Sequence, residues 1–148
     1  MYIFKIEQKL HLQVIKGRRE ILIHRSVSDF RKDLSEFSSL SFKLDDRDRL
    51  LNIWIMCWDY DAQGDWIPQV AFRSCNKGKG IYFHALKLPK DLQGRGIGRF
   101  CVDWLKDFSQ KYGFEYIALG SYKRAEAFWE KMGFAKIDME ERIRYPID

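Results

Sequence analysis

Leu86-Lys87-Leu88-Pro89-Lys90-Asp91-Leu92-Gln93-Gly94-Arg95-Gly96-Ile97-Gly98-Arg99-Phe100 is the stretch whose reading decides the fold. An apolar strand, Ile81 to Leu88, stops at Pro89. Glycines then occupy alternate positions, and an amphipathic helix follows from about Ile97 to Tyr112. Ile97, Phe100, Cys101, Trp104, Leu105 and Phe108 recur on one face of that helix, with Arg99, Asp103, Lys106, Asp107 and Gln110 on the other. Glycines at such a junction let the backbone turn sharply and approach a ligand without side-chain obstruction. The unpaired N–H groups and dipole of a helix start suit phosphate, and Arg95 and Arg99 add positive potential. The residues themselves imply an anion site for a phosphorylated ligand. A glycine-rich turn that merely joins strand to helix stays open as the alternative.

Two better-known glycine loops do not fit. A Walker loop ends in Gly-Lys-Ser or Gly-Lys-Thr, whereas Gly98 is followed by Arg99-Phe100. A dinucleotide fingerprint has a different spacing and opens its βαβ unit early in the chain.

Towards the C-terminus, Gly113 is placed as a left-handed cap and Phe114 to Leu119 reads as a short strand. Ser121 is expected to cap a helix carrying Ala125, Phe128, Trp129 and Met132, which Gly133 stops. Phe134 to Ile137 and Ile143 to Tyr145 suggest final strands. Towards the N-terminus, Pro68 to Ser74 and Ile53 to Trp58 read as strands, and the Asn76 to Gly80 turn leads into Ile81. Asp45 to Arg49 is expected to be a solvated loop or helix end. Ser28 is a candidate cap for a helix from Asp29 to about Leu40, with Phe30, Leu34 and Phe37 on one face. Leu10 to Val14 and Glu20 to His24 suggest a hairpin turning at Lys16 to Arg19, and Tyr2 to Ile6 a further strand. The expected class is α/β, a mixed, mostly antiparallel sheet flanked by helices.

The chain of 148 residues fits one domain, residues 1–148, and its 46% hydrophobic content is enough for a packed core. The net charge of +5 favours anionic partners without naming one. Clustered basic stripes with interleaved aromatics are absent, so nucleic acid is an unlikely partner, aminoacyl-tRNA excepted. Cys57, Cys75 and Cys101 show no metal-type spacing, no metal is expected, and free thiols point to a reducing compartment. No apolar run reaches membrane-spanning length and no signal-peptide block opens the chain, so a cytoplasmic protein without a membrane partner is expected. A homodimer stays open.

Gln93-Gly94-Arg95-Gly96-Ile97-Gly98 resembles the acetyl-CoA signature of the GNAT superfamily of N-acetyltransferases, Gln/Arg-x-x-Gly-x-Gly/Ala. Ala125-Glu126-Ala127-Phe128-Trp129-Glu130-Lys131-Met132-Gly133-Phe134 is similar to its second hallmark, Ala-x-x-Phe/Leu-Tyr-x-x-x-Gly-Phe. Residues 81 to 137 carry the resemblance, and the first half shares only its general order of elements. It implies a GNAT fold with a sheet splayed at the cofactor, and acetyl-CoA as the acyl donor to an amine. Gly94, Arg95, Gly96, Ile97, Gly98 and Arg99 would cradle the pyrophosphate, with Gln93 fixing the loop. The pantetheine arm would lie between Ile81–Leu88 and Phe114–Leu119, bonding near Leu86 and Leu88. Ala125, Phe128 and Lys131 would border the cofactor's far side, with core packing the alternative for Phe128.

The resemblance further implies direct attack by the amine, which requires a proton acceptor, and a donor for the developing oxyanion near Leu86. Tyr82 and His84 share a strand face and are candidates, His84 having a suitable ordinary pKa. A hydrogen-bonded strand histidine without catalytic duty is the alternative. Asp59, Asp61 and Asp65 are further candidates, or simply an exposed turn. The tyrosine that protonates the thiolate in relatives is replaced by Trp129, a poor acid, which leaves Tyr122 as a candidate and an inactive cofactor-binding module as a second reading.

Overall fold

The computed structural model describes residues 1–7, 18–37, 42–46, 52–57, 69–88 and 93–148. In chain order these form β1 (Tyr2–Lys5), α1 (Arg18–Phe37), β2 (Phe42–Asp46), β3 (Asn52–Cys57), β4 (Gln69–Cys75), β5 (Gly80–Lys87), α2 (Ile97–Lys111), β6 (Tyr116–Leu119), α3 (Glu126–Lys131) and β7 (Ala135–Lys136). Among the described residues the strands make one sheet in the order β2-β3-β4-β5-β6-β1-β7. Only β5 and β6 pair in parallel there, and α2 supplies the crossover that such a pair requires.

Period-2 alternation assigns residues to the two sheet faces. Val70, Phe72, Ile81, Phe83, Ile117 and Leu119 join the main core with residues from all three helices. Ile3, Cys75, Tyr116 and Ala118 form a smaller cluster on the opposite face, against Tyr82, Tyr145 and Ile147.

The expected Ile97 helix, its Gly113 terminus (φ 79°) and the strands at β1, β3, β4, β5 and β6 are present. Five expectations are corrected. Glu20 to His24 is helix, not strand, and Ser28 lies inside α1 instead of capping it. Ile23, Val27, Phe30 and Leu34, spaced by four, three and four, form one buried stripe that crosses both misread segments. Fully burying each such side chain is worth about 1.5–3 kcal/mol, which outweighs the weak strand preference of Ile21 and Ile23. Phe30 stacks on Trp104 at 4.0 Å, fixing α1 against α2.

Asp45 and Asp46 belong to β2, not to a loop. Ile143 to Tyr145 is no strand: Glu141–Arg144 is a 3₁₀ turn, and Ile143 is exposed. Ser121 does not cap α3, because its hydroxyl donates to the Tyr122 carbonyl and a 3₁₀ turn, Lys123–Ala125, precedes the helix. The expected strand Leu10–Val14, Trp58, the Asp59–Asp65 turn and Pro89 lie outside the described residues.

Candidate functional site

The β5–β6 ladder has only three steps, Gly80↔Tyr116, Ile81↔Ile117 and Tyr82↔Ala118. β5 nevertheless runs on to Lys87, paired with β4 on both sides of one irregularity. Beyond Tyr82 the two strands therefore part. The gap opens towards their C-terminal ends, where the 93–98 turn also lies.

A bulge marks the point of parting. Ala71 pairs with Ala85 while Phe72 pairs with Phe83, so His84 is the extra residue on β5. The inserted residue reverses the alternation. Ile81 and Phe83 face the helices before it, and Leu86 and Leu88 after it. Tyr82 and His84 meet edge to face at 4.7 Å, so the expected neighbours are in contact. His84 is exposed, while Tyr82 is half-buried on the smaller cluster. Partial burial first, and the Arg73 charge second, hold the His84 imidazole below its ordinary pKa.

Gly94 (φ 76°) and Gly96 (φ 81°) take left-handed conformations, the latter as the residue before α2. No side chain caps this helix, and no acidic residue lies in its first turn. The Phe100 N–H is used by the Gly96 carbonyl at 3.0 Å, leaving the earlier amides of the turn for an anion. With Arg95 and Arg99 exposed beside it, this donor set fits the pyrophosphate of a coenzyme. Gln93 donates its side-chain amide to the Leu88 carbonyl at 3.0 Å, bridging the end of β5 to the turn.

Leu86, Gly98 and Phe128 come together: a Cβ on Gly98 would stand 3.4 Å from the Phe128 ring and 3.7 Å from Leu86. Ala125 packs at the edge of the same core, and Lys131 is exposed in the last turn of α3. Trp129 is a buried core residue, within 5.0–5.7 Å of the Phe83, Phe128 and Phe134 rings. Tyr122 is 71% exposed with the Arg124 guanidinium 5.7 Å over its ring. Cys101 is buried and its thiol is pushed up to about 12 by that burial, so it is no nucleophile.

Sequence reasoning missed Arg73. It is the cross-strand partner of Tyr82, and its guanidinium lies 5.2 Å over that ring. The signal is the strand register, which a single sequence does not display. It also missed the bulge at His84, for the same reason.

A mixed sheet that parts beside a glycine-opened, uncapped helix agrees with the architecture that the sequence resemblance implies. The family model described as Acetyltransferase (GNAT) family matches residues 22–134, and the chain belongs to that family. Acetyl transfer is the family's general activity and acetyl-CoA its general donor. Among curated proteins none matches the chain at a significant level. No helix among the described residues is long and apolar enough to cross a membrane.

Proposed function

We propose that this protein is an N-acetyltransferase that moves an acetyl group from acetyl-CoA to a primary amine of a small molecule or protein, in the cytoplasm, by direct attack. One observation carries the reading: the β5–β6 ladder ends at Tyr82↔Ala118, and the bulge residue His84 stands at that point. The turn from Gly94 to Arg99 would hold the pyrophosphate, with Gln93 keeping the turn on Leu88, and the parted strands would admit the pantetheine arm near Leu86 and Leu88. Phe128 and Ala125 line the far side with Lys131 at its rim. When bound, the cofactor supplies a thioester-activated acetyl group.

His84 accepts the proton of the attacking amine, directly or through water, and its lowered pKa keeps it neutral near pH 7. A backbone N–H near Leu86 donates to the carbonyl oxygen as charge develops there. Tyr122 would protonate the departing thiolate where it is not released directly to solvent.

Trp129, buried where relatives carry tyrosine, favours a second reading as a cofactor-binding module without turnover. The two separate on incubating the protein with acetyl-CoA and a panel of amines, peptides and aminoacyl-tRNA while following free thiol. Amine-dependent thiol release that falls roughly 10²-fold or more in His84→Gln supports the first reading. Cofactor binding with no release from any amine supports the second.

A further inference from the structure

Segment 145–148 crosses the sheet face opposite the helices, and three successive main-chain oxygens hold it there. The Tyr116 hydroxyl donates to the Pro146 carbonyl at 2.5 Å, Arg73 Nη2 to the Ile147 carbonyl at 2.5 Å, and the Asn76 N–H to the Asp148 oxygen at 2.6 Å. Arg73 has a second attachment, Nη1 to the Ser74 carbonyl at 3.2 Å, so its planar head is fixed from two sides. That head covers the Tyr82 ring at 5.2 Å, and the Tyr82 ring meets His84 edge to face at 4.7 Å. A continuous set of contacts thus runs from the C-terminal segment through Arg73 and Tyr82 to the bulge where β5 leaves β6.

We propose that Arg73 is a positioning residue of the reaction. Fixed by segment 145–148, it holds the Tyr82 ring and, through it, the His84 imidazole at the mouth of the parted strands. The inference rests on the reading of His84 as proton acceptor. A guanidinium suits the task because it is planar, permanently charged and able to stack while donating hydrogen bonds in its own plane. The placement of a proton acceptor matters, because a misplacement of about 1 Å costs up to roughly 10²-fold in rate. Among the groups bearing on His84 are Arg73 on β4, by its charge, and Tyr82 on its own strand, by its ring.

The test starts from the cofactor-free protein and needs no acceptor. Of the three histidines, the His84 ring resonance is assigned by its loss in His84→Gln, and its titration is followed by NMR. In Arg73→Gln the midpoint rises, because a positive charge that disfavoured the imidazolium has gone. In Arg73→Lys it stays near that of the wild type. With an acceptor in hand, Arg73→Gln lowers kcat by roughly 10-fold, less than the loss of the base itself, and leaves KM for acetyl-CoA unchanged. The acid limb of its pH–rate profile moves to higher pH with the NMR midpoint. Arg73→Lys restores the limb but only part of kcat, since it lacks the planar head. An unmoved midpoint in Arg73→Gln overturns the inference, as does a joint loss of rate and acetyl-CoA affinity. Failure of the underlying reading looks different: His84→Gln then keeps the wild-type rate, whatever Arg73→Gln does to the NMR titration.

Discussion

At the Gly80–Tyr116 end the β5–β6 pair is closed, and beyond Tyr82–Ala118 it is open. The closed end is packed without slack. A Cβ on Gly80 would come within 2.4 Å of the Tyr116 ring, and Tyr116 is itself buried against Cys75 and Tyr145. The backbone of the preceding residue, Glu115, is tied on both sides: its N–H donates to the Lys79 carbonyl at 2.7 Å and its carbonyl accepts from the Ile6 N–H at 2.9 Å. The open end has a bulge, a strand edge without its β6 ladder, and helix amides without a side-chain cap. One pair of strands thus separates two duties. Rigidity at one end holds the geometry of the other, where, on the proposed function, backbone donors are kept for a ligand instead of for the fold.

The sharpest break of this contrast is Gly96→Asp. Gly96 sits at φ 81°, exposed, just before α2, so an aspartate there strains the turn locally and sets a carboxylate at the proposed anion site. Wild-type protein with acetyl-CoA at about 100 times its Kd gains roughly 2.7 kcal/mol, a rise of several degrees in Tm. Gly96→Asp should show no rise, with the cofactor-free far-UV spectrum retained. A normal rise would remove the site from this turn.

Gly80→Ala probes the other end. Its Cβ meets a buried ring, not the tip of a flexible chain, so overpacking should cost about 1–3 kcal/mol. The cofactor-free Tm should fall by roughly 2–4 °C per kcal/mol. The acetyl-CoA-induced rise should survive, because the opening lies beyond the last ladder step. Loss of that rise would show that the two ends are not separable.

Legibility in the sequence follows the same division of causes. The β5–turn–α2 unit could be read because its signals are local: alternate glycines, Pro89, and an apolar stripe from Ile97 to Phe108. The glycine-opened helix start and the Gly113 terminus follow from those residues alone. α1 was misread because Glu20-Ile21-Leu22-Ile23-His24 alternates like a strand, while the stripe that decides the matter continues to Leu34. Its partner surface, Trp104 and Phe100, is 70 or more residues away. The pairing of Tyr82 with His84 followed from alternation, but the bulge beneath them and the Arg73 clamp depend on register with β4. Register is a property of two strands, so neither could be read from one.

The smallest expected effect belongs to Tyr116→Phe, which deletes one hydroxyl at the closed end and keeps the ring. That hydroxyl donates to the Pro146 carbonyl and lies 3.9 Å from the Cys75 thiol. Residue 146 is exposed, so water can take over its carbonyl, and the loss should be about 0.5–1.5 kcal/mol near neutral pH. The pH dependence gives a further check. Burial, and then the neighbouring Cys75, raise the Tyr116 pKa above its ordinary value of 10.0. The folded state therefore keeps this proton at a pH where the unfolded chain has released it, and stability falls with rising pH. The stabilising effect of the shift is complete below about pH 10 and is lost progressively above it. Phenylalanine has no such proton, so the wild-type advantage measured by urea unfolding should be flat from pH 7 to 9 and shrink above 10. A gap that widens above pH 10 would mean that the phenol ionises more readily in the folded protein, against the burial of Tyr116. Throughout, the acetyl-CoA-induced rise in Tm should match that of the wild type, since nothing at the open end has changed.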